Sequence, residues 1–93
     1  MRLTAKQQLE FGEKWVDENP DAWLFLKMRV AFAKAEGHRQ PFRLAYFVEG
    51  LRANGMSFAN DANAYVSRRL ERELCVQFTK SKSKIDLLLK DSE

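Results

Sequence analysis

The chain has 93 residues, of which 45% are hydrophobic and 31% charged, with a net charge of +3. This length and composition are typical of one globular domain, here residues 1–93, and they exclude a disordered chain or a disulfide scaffold. It contains no signal peptide and no apolar run long enough to cross a bilayer, so we expect a soluble cytoplasmic protein without membrane contact. One cysteine, Cys75, and one histidine, His38, cannot supply a structural zinc site, and we expect neither metal nor cofactor.

The charge is unevenly distributed along the chain. Residues 1–21 carry three basic and five acidic side chains, a net charge of −2, whereas residues 62–85 carry six basic and two acidic ones, a net charge of +4. A basic segment attracts polyanions to its surface. We therefore expect the C-terminal part of the chain to be the contact for a nucleic acid.

A capping box marks the start of the first helix. Thr4 and Gln7 have the spacing at which the threonine oxygen accepts from the third amide while the glutamine side chain reaches back to the first. This spacing predicts a helix that begins after Thr4 and runs to about Glu18. Its acids outnumber its bases, which makes it a poor candidate for contacting phosphate, and we expect Trp15 to pack it against the next helix.

The second helix has its own start and stop signals. Asn19 is a favourable N-cap, Pro20 suits the first helical position, and Gly37 can adopt the left-handed conformation that ends a helix. Apolar side chains cover nearly the whole circumference in between, so we expect neighbours to cover this helix on more than one side and the other elements to pack around it. The large side chains that we expect to be buried there are Trp23, Phe25 and Phe32.

Two further helices follow an extended link at residues 38–42. Apolar residues at i, i+3, i+4 and i+7 predict a short helix over residues 44–53, and Asn60 is a favourable N-cap for a helix from Asp61 to about Leu74. The last of these helices is amphipathic. Its apolar side carries Ala62, Tyr65, Val66, Leu70 and Leu74. Its polar side carries Ala64, Ser67, Arg68, Glu71 and Arg72, with Asn63 and Arg69 between the two.

The end of the chain predicts a β-hairpin. Residues 75–79 alternate in polarity and are rich in strand formers, residues 80–84 are a polar basic run, and residues 85–89 are apolar again. A final helical turn over residues 84–90 is the alternative. The predicted fold class is therefore mainly α, a compact helical domain with a small C-terminal β-hairpin.

From Arg43 the predicted elements are a helix, a turn, a second helix with a polar basic outer face, and a hairpin with a lysine-rich tip. This arrangement resembles a winged helix-turn-helix DNA-binding domain, as found in small phage and prophage proteins. The resemblance covers about residues 43–89. It implies that the helix at 61–74 enters the major groove of double-stranded DNA. The expected base-reading residues are Asn63, Ser67 and Arg68. The expected phosphate contacts are Arg72, Arg69 if its head swings outward, and Lys80, Lys82 and Lys84 on the wing.

The expected function is that of a small DNA-binding protein, a regulator or accessory factor of a phage or other mobile element. The alternative is a protein–protein interaction module that docks a host or partner protein through the same face. The arginines also have a purely structural alternative, in which they solvate the helix and pair with Glu71 and Glu73 at helical spacings.

An enzyme is not expected from this sequence. It contains no glycine-rich phosphate loop, nucleophile elbow or paired-carboxylate site, and His38 has the features of a surface histidine. Only a pocket that gathered Glu49, His38 and Arg39 around a ligand would favour catalysis.

Overall fold

A computed structural model describes residues 3–79 of the chain. These residues form four α-helices joined by short connections, and a single 3₁₀ turn at Asn60–Ala62 precedes the last helix. The mainly helical prediction is confirmed. The helices are α1 (Ala5–Glu18), α2 (Pro20–Ala35), α3 (Leu44–Ala53) and α4 (Asn63–Leu74). Within the described part of the chain, no helix is long and apolar enough to cross a membrane.

The capping box at the start of α1 is confirmed. The backbone N–H of Gln7 donates to the Thr4 hydroxyl at 3.1 Å, and the Thr4 N–H donates to the Gln7 side chain at 2.9 Å. The junction between α1 and α2 differs from the prediction, because the Asn19 amide donates backward to the Trp15 carbonyl at 2.9 Å and makes no capping bond to α2. Asn19 therefore satisfies the end of α1, and α2 begins with Pro20 alone.

Only one side of α2 is covered, so the prediction of a helix enclosed on more than one side is wrong. Trp23, Leu26 and Val30 are buried, whereas Phe32 is 62% exposed and Leu24 and Met28 are also exposed. The physical reason is that α3, α1 and α4 all pack on the same half of the helix. Gly37 ends the segment in the left-handed conformation, with φ of 77°, as predicted.

The closest helix packing joins α1 to α4. A Cβ atom placed on Gly12 would lie 2.2 Å from the Cβ of Tyr65 and 3.3 Å from the carbonyl oxygen of Ala62. Only a residue without a side chain allows this approach. α3 instead packs on α2 and makes little contact with α4. The fully buried side chains at the centre of the resulting core are Leu26, Val30, Leu51, Val66 and Leu70.

After α4 the chain turns back towards the link before α3. Cys75 is exposed in the left-handed conformation, with φ of 53°, and the following residues run beside Phe42. The Phe42 N–H donates to the Gln77 carbonyl and the Thr79 N–H donates to the Phe42 carbonyl, both at 2.8 Å. This is a single parallel bridge between Phe42 and Phe78, and residues 3–79 contain no strand. Residues 75–79 therefore do not form the predicted first strand, because Phe78 pairs only with the link before α3. The predicted lysine turn and second strand lie outside the described residues, and the hairpin is not supported.

Candidate nucleic-acid interface

The outer side of α4 presents four of the predicted contact residues together. Asn63, Arg68 and Arg72 are exposed, and Ser67 is half-buried with its hydroxyl donating to the Ala64 carbonyl at 3.2 Å. Asn63, Ser67 and Arg68 line one groove, and Arg72 lies one helical turn beyond Arg68, while Val66 and Leu70 are buried in the core. We call the surface formed by Asn63, Ser67, Arg68 and Arg72 the α4 face.

Arg69 does not belong to the α4 face. Its guanidinium lies 4.7 Å from the centre of the Trp23 ring, and it donates to the Glu73 carboxylate at 2.7 Å and to the Tyr65 hydroxyl at 3.2 Å. The hydrogen bond to Glu73 is the main cause that raises the pKa of Arg69 above its ordinary value. The outward swing that a phosphate contact would need is absent, and Arg69 instead packs α4 against α2.

The two acids of α4 both accept hydrogen bonds from groups other than Arg68 and Arg72. Glu73 accepts from Arg69 and, at 3.1 Å, from Lys27 of α2, while Glu71 accepts from the backbone N–H of Phe78 at 3.0 Å. Burial alone would raise the pKa of Glu73, but the hydrogen bonds from Arg69 and Lys27 outweigh it and lower that pKa. Glu73 therefore stays ionised as part of an ion pair that joins α2 to α4.

Arg68 and Arg72 consequently have no carboxylate within 4.0 Å among residues 3–79. The structural alternative, in which the arginines pair with Glu71 and Glu73, is confirmed for Arg69, which pairs with Glu73, and is not what the structure shows for Arg68 and Arg72. An exposed guanidinium without an acidic partner keeps its full capacity to bind an anionic group.

A shallow groove of about 690 Å³ runs along the start of α4. Arg68, Asn63 and Ser67 line one wall, and Arg43, the N-cap residue of α3, lines the other side. Sequence reasoning missed Arg43, because its position opposite α4 depends on how the link from α2 folds back and no local pattern signals it. Asp61 and Glu71 also line the groove, so its charge is mixed rather than uniformly positive.

The three predicted wing contacts, Lys80, Lys82 and Lys84, lie outside the described residues. Their role as phosphate contacts stays a prediction from the sequence. Of the eight residues expected to contact DNA, the structure thus places four on the α4 face, three of them in one groove, and turns one, Arg69, towards Trp23 and Glu73.

A second groove, of about 830 Å³, lies between α2 and α3. It gathers His38, Arg39 and Glu49 at its edge, the three residues whose convergence the enzyme alternative required. His38 is paired with Glu36 at 3.1 Å, and both side chains are at least half exposed. An exposed pair of this kind lacks the enclosed, oriented geometry of a general base. The described part of the chain contains no group of three or more histidine, cysteine or acidic residues that could hold a metal ion.

Comparison with protein-family models, with curated proteins and with solved structures finds no match to this chain. The resemblance to a winged helix-turn-helix domain therefore stays a prediction from the sequence pattern. What the protein does must be inferred from the chemistry of its surfaces, since a helical fold alone does not determine function.

Proposed function

We propose that the protein binds double-stranded DNA through the α4 face. The observation that supports this proposal is that Arg68 and Arg72 have no carboxylate within 4.0 Å among residues 3–79, where Glu71 and Glu73 accept from the Phe78 backbone, Arg69 and Lys27. Exposed guanidinium groups without an acidic partner are available to form charge-assisted hydrogen bonds with phosphates. Arg43, across the groove, adds a third cation within reach of the same ligand.

The α4 face has the chemistry that groove recognition requires. Twelve helical residues span about 18 Å, enough to lie in the major groove. Asn63 and Arg68 are suited to hydrogen bonding with adenine and guanine edges, and Arg72 and Arg43 to holding the phosphates on either side. Lysines 80, 82 and 84 would add further phosphate contacts if the C-terminal segment forms a wing. A role as regulator or accessory factor of a phage or mobile element is the biological setting that the resemblance suggests.

Docking of a protein through the same face is the weaker candidate. The exposed large hydrophobic residues of the described chain are all on other helices, so the α4 face and its groove present polar and charged groups without a large exposed apolar side chain. They are Phe11, Leu24, Met28, Phe32 and Tyr46. Protein interfaces have a buried apolar centre, whereas protein–DNA interfaces are polar and positively charged.

Titration of a random-sequence DNA duplex tests the proposal. Each phosphate contact contributes about −0.9 to the slope of log affinity against log salt concentration. Three contacts therefore predict that the affinity for DNA falls by about 40-fold between 50 and 200 mM salt. Arg68→Ala should leave the fold intact, because the side chain is exposed, and should cost about 1–3 kcal/mol of discrimination on a selected site if Arg68 reads a guanine. Absence of binding at low salt, or affinity that does not respond to salt, would refute the proposal.

A further inference from the structure

The uncovered side of α2 is an apolar surface that the proposed DNA contact does not use. Leu24, Met28 and Phe32 follow one another at four-residue spacing, which places them in one row along the helix. Met28 and Phe32 are each 62% exposed, and Tyr46 of α3 is 73% exposed. Scattered apolar residues on a surface are ordinary, but a continuous row beside a groove is typical of an interaction site.

The groove between α2 and α3 adjoins this row at Phe32. Phe25, Phe32 and Tyr46 line it, and its floor includes Gly50. A Cβ atom added at Gly50 would meet only the edge of the Phe25 ring, at 3.9 Å, so the groove is open above α3. We call the surface formed by Phe25, Phe32, Tyr46 and Gly50 the α2–α3 groove, and Met28 lies one turn before Phe32 on α2. A groove between two helices that is lined by aromatic side chains is the kind of surface that receives the apolar side of a helix.

The edge of the α2–α3 groove carries an excess of unpaired positive charge. Arg29 and Arg39 have no carboxylate within 4.0 Å among residues 3–79, and Arg29 lies over the Phe25 ring at 5.2 Å. Of the two acids at the edge, Glu36 is already paired with His38. Arginines beside an apolar groove favour a ligand that combines apolar side chains with carboxylates.

We propose that the α2–α3 groove docks an amphipathic helix of a partner protein whose polar positions are predominantly acidic. The apolar side of that helix covers Phe32, Met28 and Tyr46, and its carboxylates reach Arg29 and Arg39. This site is formed by α2 and α3 rather than by α4, and it shares only Arg43 with the groove beside the α4 face. A single-stranded nucleic acid could stack on Phe32 and Tyr46, but Leu24 and Met28 of the row offer no ring for a base to stack on.

Three synthetic helical peptides of about four turns test the proposal. They share one apolar face of leucine and phenylalanine and differ in their polar positions, which are glutamate in the first, lysine in the second and an equal mixture in the third. Each peptide carries a fluorescent label, and its anisotropy is measured against the full chain. The glutamate peptide should bind more tightly than the mixed peptide, and the lysine peptide most weakly.

Two variants and two matched controls locate the binding site. Phe32→Ala and Arg39→Ala should each weaken binding of the glutamate peptide by roughly fivefold or more, because truncation of a central aromatic or arginine contact has effects of that size. Phe11→Ala removes an exposed aromatic side chain from α1, and Arg68→Ala removes an exposed arginine from α4. Neither control should change the affinity by more than twofold.

Four results would overturn the proposal. The first is failure of all three peptides to bind at millimolar protein, and the second is lysine-peptide binding at least as tight as that of the glutamate peptide. The third is binding of single-stranded oligothymidine that Phe32→Ala abolishes, which would assign the groove to nucleic acid. The fourth is self-association of the chain that Phe32→Ala abolishes, which would show that a second copy covers the groove. Loss of duplex DNA binding by Arg68→Ala bears on the α4 face alone and leaves the groove unaffected.

Discussion

Replacement of Gly12 by alanine should destabilise the protein, although alanine is the better helix former. Gly12 lies in α1 where that helix crosses α4, and the added methyl group would stand 2.2 Å from the Cβ of Tyr65. Carbon atoms in contact prefer about 3.5–4.0 Å, so the two helices would have to separate by more than an ångström. Tyr65 cannot relieve the clash by rotation, because its Cβ is fixed by the backbone of α4.

The expected loss can be estimated from two opposing terms. Overpacking of this kind costs about 1–3 kcal/mol, and the clash at Gly12 belongs at the upper end, whereas alanine gains about 1 kcal/mol over glycine inside a helix. We expect a net loss of about 2 kcal/mol for Gly12→Ala. Gly50→Ala is the matched control, because its methyl group meets only the Phe25 ring at an ordinary 3.9 Å. That variant should gain up to about 1 kcal/mol.

Urea and thermal denaturation followed by far-ultraviolet circular dichroism measure both variants. For a domain of this size, a loss of about 2 kcal/mol lowers the melting temperature by about 8–16 °C. Gly50→Ala should melt at or above the wild-type temperature. A Gly12→Ala protein as stable as wild type would show that α1 and α4 do not cross as closely as the structure has them.

The remaining predictions concern α2 and its ion pair. Trp23→Ala, at a buried position, should cost about 3–5 kcal/mol in the free energy of unfolding, whereas Phe32→Ala, at an exposed one, should cost less than about 0.5 kcal/mol by the same denaturation measurement. Equal losses would mean that α2 is covered on both sides. The pKa of Glu73 is lower in the folded state than its ordinary value of about 4.5 in the unfolded chain, so ionised Glu73 stabilises the fold at a pH above that value. This stabilisation is lost as the pH falls through the lower pKa of the folded state. The free energy of unfolding of wild type should therefore fall more steeply than that of Glu73→Gln between about pH 5 and 3. Parallel curves of unfolding free energy against pH would contradict a stabilising role for ionised Glu73.

Local signals in the sequence were sufficient to predict the helices. The Thr4–Gln7 capping box and the Gly37 stop depend on residues within one turn of each other, and both occur as the patterns predict. The apolar residues of α3 recur at helical spacing because one face of that helix is buried, and this spacing predicted the helix equally well. Asn19 shows the limit of such signals, because its side chain can satisfy the helix before it or the helix after it, and the sequence does not distinguish the two.

Tertiary contacts explain what the sequence could not predict. An apolar α2 is compatible with cover on one side or on two, and only the packing of its neighbours shows that Phe32 remains exposed. Lys27 and Glu73 are 46 residues apart, so their pairing has no local signature. The sequence does not distinguish Gly12 from any other glycine in a helix, because its close packing depends on the position of Tyr65. The position of Arg43 opposite the α4 face depends on the same long-range packing.

The salt dependence of duplex DNA binding tests the central proposal most directly. On a random-sequence duplex, Arg68 and Arg72 act as charges rather than as readers of sequence, so the Arg68→Ala/Arg72→Ala variant should reduce the slope of log affinity against log salt by about 1.8. Lys14→Ala on the acidic helix α1 removes an exposed cation as well and should leave the slope unchanged. Equal slopes for wild type and the double arginine variant would contradict binding through the α4 face.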